Sequence, residues 1–147
     1  METFEKQKIN CIIIGTGKIG IDLYLKCRKS RKFNKIRIFN RRKNSEGAKY
    51  CIKKKFNYSS RGIDGVIDIL KDTKIIFDAT SAKSNMLILK KIKRMIKHKY
   101  FINLTPSKNG EYIVPYINKK KIPHIVNLIT CGGQTSIPII SEVQRIL

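Results

Sequence analysis

Apolar and polar positions fall in alternating blocks along this chain. Ile9-Asn10-Cys11-Ile12-Ile13-Ile14 is a near-continuous β-rich run, as expected of a strand buried on both faces. Ile36 to Phe39, Ile75 to Phe77, Tyr100 to Leu104 and Ile125 to Ile129 repeat the pattern. Between these runs the apolar residues take helical spacing. Ile21 to Arg28 has Ile21 and Leu25, and Leu23 and Cys27, four apart. Ser45 to Phe56 reads as a second helix capped by Ser45. Ile63 to Leu70 is a third, with Asp64 in its first turn, where a negative charge suits the helix dipole. Met86 to Ile96 is a fourth, with Ile88 or Leu89, Ile92, Met95 and Ile96 on one face. Thr105 to Gly110 is a loop by its Pro, Asn and Gly. Cys131-Gly132-Gly133 reads as a turn, with a last helix expected near Pro138. Repeated strand–helix units with buried strands predict an α/β fold. Its mostly parallel sheet is doubly wound by right-handed crossovers and covered by helices on both faces. The length of 147 residues fits one domain with an apolar core of its own.

The first strand runs into Gly15-Thr16-Gly17-Lys18-Ile19-Gly20, which opens a helix. Three glycines at this spacing are a weak signal alone, but strand–turn–helix near the N-terminus is the context that gives them meaning. Gly15 permits the tight turn, Gly17 lets backbone approach a pyrophosphate, and Gly20 lets helix and strand pack closely. Amides at the helix start then face the phosphates. The expected fold is therefore a Rossmann-like dinucleotide-binding domain over 1–147. NAD sites usually carry an acidic residue at the tip of the second strand, for the ribose 2′-hydroxyl. Here the tip reads Phe39-Asn40-Arg41-Arg42, with no carboxylate. Arg41 and Arg42 can accommodate a 2′-phosphate, which leans toward NADP. They also fit as ordinary surface cations, which leaves NAD open.

Four cysteines occur, none in a CxxC pair, so no zinc or redox motif is indicated. Cys11, Cys27 and Cys51 fall in predicted core elements, and a reducing, cytoplasmic compartment fits them. Cys131 ends a strand beside two glycines. Strand ends are where open α/β sheets place ligands, and a helix dipole favours a thiolate at its N-terminus. Nearby amides could hold an oxyanion. The same features fit a structural Cys in a glycine turn equally well. His98 and His124 carry no supporting pattern for a catalytic base and read as surface residues.

Charge weighs less in this reading than its size suggests. The chain has 32 Lys and Arg against 10 Asp and Glu, a net +22. Such an excess can mark a nucleic-acid or acidic-membrane partner. The lysines, however, are spread along the whole chain. Runs such as Lys53-Lys54-Lys55 and Lys119-Lys120-Lys121 fall at expected helix ends or loops. Lys exceeds Arg, Ile and Asn are abundant and Ala is scarce, so compositional drift explains the excess better than nucleic-acid binding. The polar start, Met1 to Lys8, does not resemble a signal peptide, and no apolar run approaches the roughly 20 residues of a membrane span.

Four stretches together carry a family likeness: Ile13 to Gly20 with Asp22-Leu23; Phe77 to Ala82; Asn103-Leu104-Thr105-Pro106 with Val114-Pro115; and Thr130-Cys131-Gly132-Gly133-Gln134-Thr135-Ser136-Ile137-Pro138. The chain resembles the CoA-acylating acetaldehyde dehydrogenases that partner a 4-hydroxy-2-oxovalerate aldolase in aromatic-hydrocarbon catabolism. The resemblance implies an NAD(P)-dependent oxidoreductase. In it Cys131, on a nucleophile loop 130–138, attacks acetaldehyde or propanal, and coenzyme A takes the acyl group as acyl-CoA. It implies that Thr16, Gly17, Lys18 and Ile19 meet the pyrophosphate, and that Ser81 and Ala82 lie beside the cofactor. Lys18 departs from the Asn common in the family. The family also continues beyond the position of Leu147 into a second domain, which completes the aldehyde pocket and makes the dimer. By this reading that domain is absent, and the helix after Cys131 is cut short, leaving Ile139, Ile140 and Val143 without a partner surface. The residues leave open an active chain, a fragment, a decayed product or half of a split enzyme. A non-catalytic dinucleotide-binding module and a basic nucleic-acid-associated protein are the alternatives.

Overall fold

In a computed structural model, residues 8–115, 117 and 122–147 are described; the Lys119–Lys121 run and residues 1–7 lie outside them. The elements run β1 (Ile9–Ile14), α1 (Lys18–Lys29), β2 (Phe33–Phe39), α2 (Glu46–Lys53), β3 (Tyr58–Ser59), α3 (Gly62–Ile69), β4 (Ile75–Asp78), α4 (Ala82–Ile92), a 3-10 turn (Lys93–Met95), β5 (Tyr100–Asn103), β6 (Glu111–Ile113), β7 (Ile125–Leu128) and α5 (Cys131–Ile146). The strands form one sheet in the order β3-β2-β1-β4-β5-β7-β6. Every pairing is parallel.

The strands alternate between two cores. Ile12 and Ile14 of β1, with Phe39 and Ile76, pack against Val66 and Leu70 beside α3 and Ile88, Leu89 and Ile92 of α4. Cys11 and Ile13, with Ile36 and Ile38, pack against Tyr24 and Cys27 of α1 and Cys51 of α2. The sheet is thus covered on both faces, as a buried parallel sheet requires, and the doubly wound Rossmann-like fold is as expected. β1 and β4 run parallel, but the order of strand addition reverses between them: β2 and β3 are added on one side and β5 to β7 on the other. The connections leaving their C-terminal ends therefore go to opposite sides and open a crevice there, the ligand position of such sheets.

Four expectations need correction. Segment 130–138 is not a loop with a helix starting near Pro138: α5 begins at Cys131. Thr130 caps it, its hydroxyl oxygen accepting from the Gly133 N–H at 3.2 Å, so a cap outweighs two poor helix formers in the first turn. Pro138 then lies inside the helix and leaves the Gln134 carbonyl without its usual partner. Second, α4 starts at Ala82, where Ser81 caps it, and its end tightens into the 3-10 turn. Three residues per turn rather than 3.6 rotates Met95 out to 46% exposure while Ile96 stays buried. Third, α2 ends at Lys53, and Lys55 takes a left-handed φ of 52°. That turns the chain so that Phe56 stacks on Tyr24 instead of continuing the helix. Finally, β3 and β6 escape the apolar pattern because they are edge strands of two and three residues.

Candidate functional site

The C-terminal ends of β1, β2 and β4 enclose a cleft of about 640 Å³. Gly15, Thr16 and Gly17 form its floor loop, Asn40, Arg41 and Arg42 one wall, and Ala79, Thr80 and Ser81 the other. The glycines act in three different ways. Gly15 has φ +109°, and a Cβ there would come within 2.7 Å of the Ala79 carbonyl oxygen. A Cβ on Gly20 would lie 2.0 Å from the Gly15 carbonyl oxygen, so this residue sets how closely α1 meets β1. Gly17, which lines the cleft and an adjoining groove, has nothing within 4 Å of an added Cβ. The first two are the turn and packing geometries expected of the fingerprint, and Gly17 has room for an added atom.

Asn40 ties two sides of the cleft together. Its amide nitrogen donates to Thr16 Oγ1 at 2.8 Å, to Ser45 Oγ at 2.9 Å and to the Arg42 carbonyl at 3.2 Å. Its oxygen accepts from the Arg41 N–H at 2.9 Å. Where NAD sites usually place a carboxylate, this chain places a neutral, fully engaged amide. Arg41 and Arg42 are exposed and in no ion pair among the described residues, whereas neighbouring Arg61 pairs with Asp68. Lys91, on the far wall, is held by Asp64 at 2.6 Å, and this pairing holds the Asp64 carboxyl below the ordinary carboxylate range. The described cations of the cleft left free to meet an anion are thus the two arginines.

The other predicted residues are less concentrated. Lys18 opens α1 and faces an adjoining groove between α1 and α2. Ile19 is 60% exposed, Gly20 lies behind the floor loop, and Ala82 is the first, exposed residue of α4. Ser81 lines the cleft, but its hydroxyl caps α4, accepting from the Ser84 N–H at 3.3 Å. Cys131 is exposed at the start of α5, outside the cleft wall but at the same C-terminal edge of the sheet, just past β7. Cys11, Cys27 and Cys51 are buried. His98 and His124 are exposed and precede β5 and β7, at the opposite edge.

Gly47 was not foreseen as part of the site. A Cβ there would fall 1.7 Å from the Thr16 carbonyl oxygen, so α2 can reach the floor loop only with glycine. The signal available was a glycine in the first turn of a predicted helix, which weakens the helix unless backbone comes close.

Residues 1–126 match the family described as Shikimate / quinate 5-dehydrogenase. The chain belongs to that family. The match covers β1 to the start of β7 and stops before Cys131. Curated relatives extend further. An acetaldehyde dehydrogenase of Geobacillus stearothermophilus is 35% identical over 143 residues, covering 95% of this chain and 47% of its own length. One from Thermomicrobium roseum is 36% identical over 148 residues, covering 97% and 46%. Alignments of that extent necessarily include the Cys131 segment, and they bear out the resemblance read from the four stretches. The chain spans about half the length of these curated relatives. Among solved structures, Plasmodium falciparum pyrroline carboxylate reductase with NADP bound aligns over 66% of this chain and 33% of its own, at TM-score 0.50 and 17% identity. RSP in complex with beta-NAD+ and operator DNA aligns over 95% and 57%, at TM-score 0.53 and 18% identity. At such identities the likeness is one of fold. Among the described residues no helix is long and apolar enough to cross a membrane.

Proposed function

We propose that this chain is the cofactor-binding part of an NAD(P)-dependent acylating aldehyde dehydrogenase, with Cys131 as nucleophile. The observation that carries the reading is the pairing, on one edge of one sheet, of a glycine-floored, arginine-walled cleft with an exposed thiol at the start of a 16-residue helix. The residues present fit a dinucleotide: free amides at the start of α1, open space at Gly17 and two unpaired arginines. A cofactor held by the floor loop, the amides at the start of α1 and Arg41 and Arg42 would supply the hydride acceptor. The Cys131 thiolate adds to the carbonyl carbon of acetaldehyde or propanal, forming a thiohemiacetal. With that acceptor bound, the carbon held on the Cys131 sulfur would be oxidised from the thiohemiacetal to the thioester level, and Cys131 would keep the acyl group bound throughout. The thiolate of coenzyme A then attacks that carbonyl carbon, takes the acyl group and frees the Cys131 sulfur. The relatives' names and the matched Cys131 segment support this chemistry, and an aldolase supplying the aldehyde is the partner it implies. Asn40 in place of an acid, with Arg41 and Arg42 unpaired, supports NADP as the preferred form.

The deciding assay is reduction of NAD and NADP by the purified chain with acetaldehyde or propanal and coenzyme A. Turnover that depends on coenzyme A and vanishes in Cys131→Ala is the expected result for an active chain. Turnover surviving in Cys131→Ala sinks the nucleophile assignment. A second reading, a dinucleotide-binding module without turnover, is favoured by the position of Cys131 outside the cleft wall. Cofactor binding with no reduction under any condition selects it.

A further inference from the structure

Asp78 ends β4 and is completely buried, yet no cation pairs with it among the described residues. Its Oδ1 accepts from the Thr80 N–H at 2.9 Å and the Thr80 hydroxyl at 2.6 Å. Its Oδ2 accepts from the Asn85 amide nitrogen at 2.6 Å. Burial pushes this carboxyl above its ordinary range, against the pull of those donors. Core packing alone would not call for an unpaired carboxylate, which is costly to bury. The hydrogen bonds do call for one: all three groups facing Asp78 are donors, so the position needs a planar group with two accepting edges.

The consequence reaches the cleft. Thr80 is fixed at its N–H and hydroxyl by Asp78, and at its carbonyl by the Thr105 hydroxyl from the loop after β5. Thr80 lines the cleft, and the loop it belongs to is the one a Cβ on Gly15 would strike. The distance between floor loop and far wall is thus set through Thr80. Asn85 carries the constraint onward, its oxygen accepting from Ser107 Oγ at 3.1 Å and from Asn109 Nδ2 at 2.9 Å. The Ser107 carbonyl accepts from Asn127 of β7, the strand leading to Thr130 and Cys131.

We propose that Asp78 is a positioning residue for the dinucleotide: buried, with its two oxygens accepting from Thr80 and Asn85, it fixes residues 79–81 as the cleft's second wall. The proposal rests on the cofactor reading above, and the test separates the two. Asp78→Asn keeps the size but sets an N–H donor against either Asn85 or Thr80. Asp78→Asn/Asn85→Asp restores every bond with the charge moved one partner along. The amide then at position 78 accepts from Thr80 and donates to the carboxylate at position 85, which also accepts from Ser107 and Asn109. Titration calorimetry with NADP and NAD should show the dissociation constant at least tenfold higher in the folded single variant, and within threefold of the starting protein in the double variant. A merely structural residue would lower the melting temperature without changing the affinity of the folded protein. An unchanged affinity in Asp78→Asn overturns the proposal, as does a double variant that folds but stays weak. If the single variant does not fold, the double variant decides: it must fold and bind within threefold, or the assignment falls. If the unaltered chain binds neither cofactor, the cofactor reading falls instead. Amide exchange at Thr80 then judges Asp78 alone, with at least tenfold faster exchange in the single variant expected and an unchanged rate overturning it.

Discussion

The two ends of the sheet's ligand edge are both rich in glycine, for opposite reasons. At the cleft, Gly15, Gly20 and Gly47 stand where a Cβ would enter backbone from another element, within 2.7, 2.0 and 1.7 Å of a carbonyl oxygen. At the thiol end, Gly132 has nothing within 4 Å, and Gly133 would meet chiefly the flexible Ile129 side chain. The cleft is therefore built by the chain itself, strand against helix against loop. Among the described residues the thiol helix is held by a cap and by a Gln134 hydrogen bond to the Ile113 carbonyl at 3.1 Å. None of its residues is buried, and Ile139, Ile140 and Val143 are 50–62% exposed. One end is over-determined and the other open.

The largest effect that would test this contrast lies at Gly20. Gly20→Ala forces α1 away from β1 against backbone, with no flexible neighbour to yield. We expect a loss of about 3 kcal/mol or more, read as a thermal midpoint lower by roughly 6–12 °C. A midpoint within 2 °C of the starting protein would show that the α1–β1 junction is looser than its geometry indicates. Gly17→Ala is the matched control. Its φ of −72° suits any residue, and no atom lies near the added carbon, so the fold should be unaffected. The methyl enters space a pyrophosphate would use, and dinucleotide affinity should fall about tenfold, roughly 1.4 kcal/mol. Unchanged binding would mean that the ligand does not approach the floor loop.

This contrast also explains what could be read from the residues alone. Apolar runs such as Ile9–Ile14 and the helical repeat of α1 identify the sheet and its layers, because burial on two faces leaves a strong pattern. The fingerprint glycines could be assigned separate tasks because each answers a local steric demand. Asn40, Gly47 and Asp78 could not. Their roles depend on partners 24, 31 and 7 residues away that only the folded sheet brings together. The start of α5 is hard to place from residues alone because Pro138 looks like a helix opener, while the Thr130 cap is a single hydroxyl. Cys131 was legible as a candidate by its neighbours, yet its place outside the cleft wall is a tertiary fact.

A smaller effect concerns pH. The Asp78 carboxyl is raised in the folded chain, so the folded state holds its proton at pH values where the unfolded state has released it. Its stabilising contribution is complete below the ordinary value of 3.8 and is lost as pH rises through the folded value. Urea unfolding from pH 4 to 7 should therefore show a downward component in stability that Asp78→Asn lacks. Identical pH profiles for the two proteins would mean that Asp78 titrates alike folded and unfolded.

The smallest effect has the opposite sign and lies at the open end. Gly132 is the second residue of α5, its surroundings are empty, and its φ is not left-handed. Gly132→Ala should stabilise the chain by a few tenths to about 1 kcal/mol, since alanine loses less backbone freedom on forming a helix. The thermal midpoint should rise by no more than about 4 °C, and Cys131 should still react with a small disulfide reagent in the native protein. A fall in midpoint instead would mean that the space beside Gly132 is filled in solution, either by this chain or by another copy. The thiol end would then be as closely built as the cleft, and the contrast between the two would disappear.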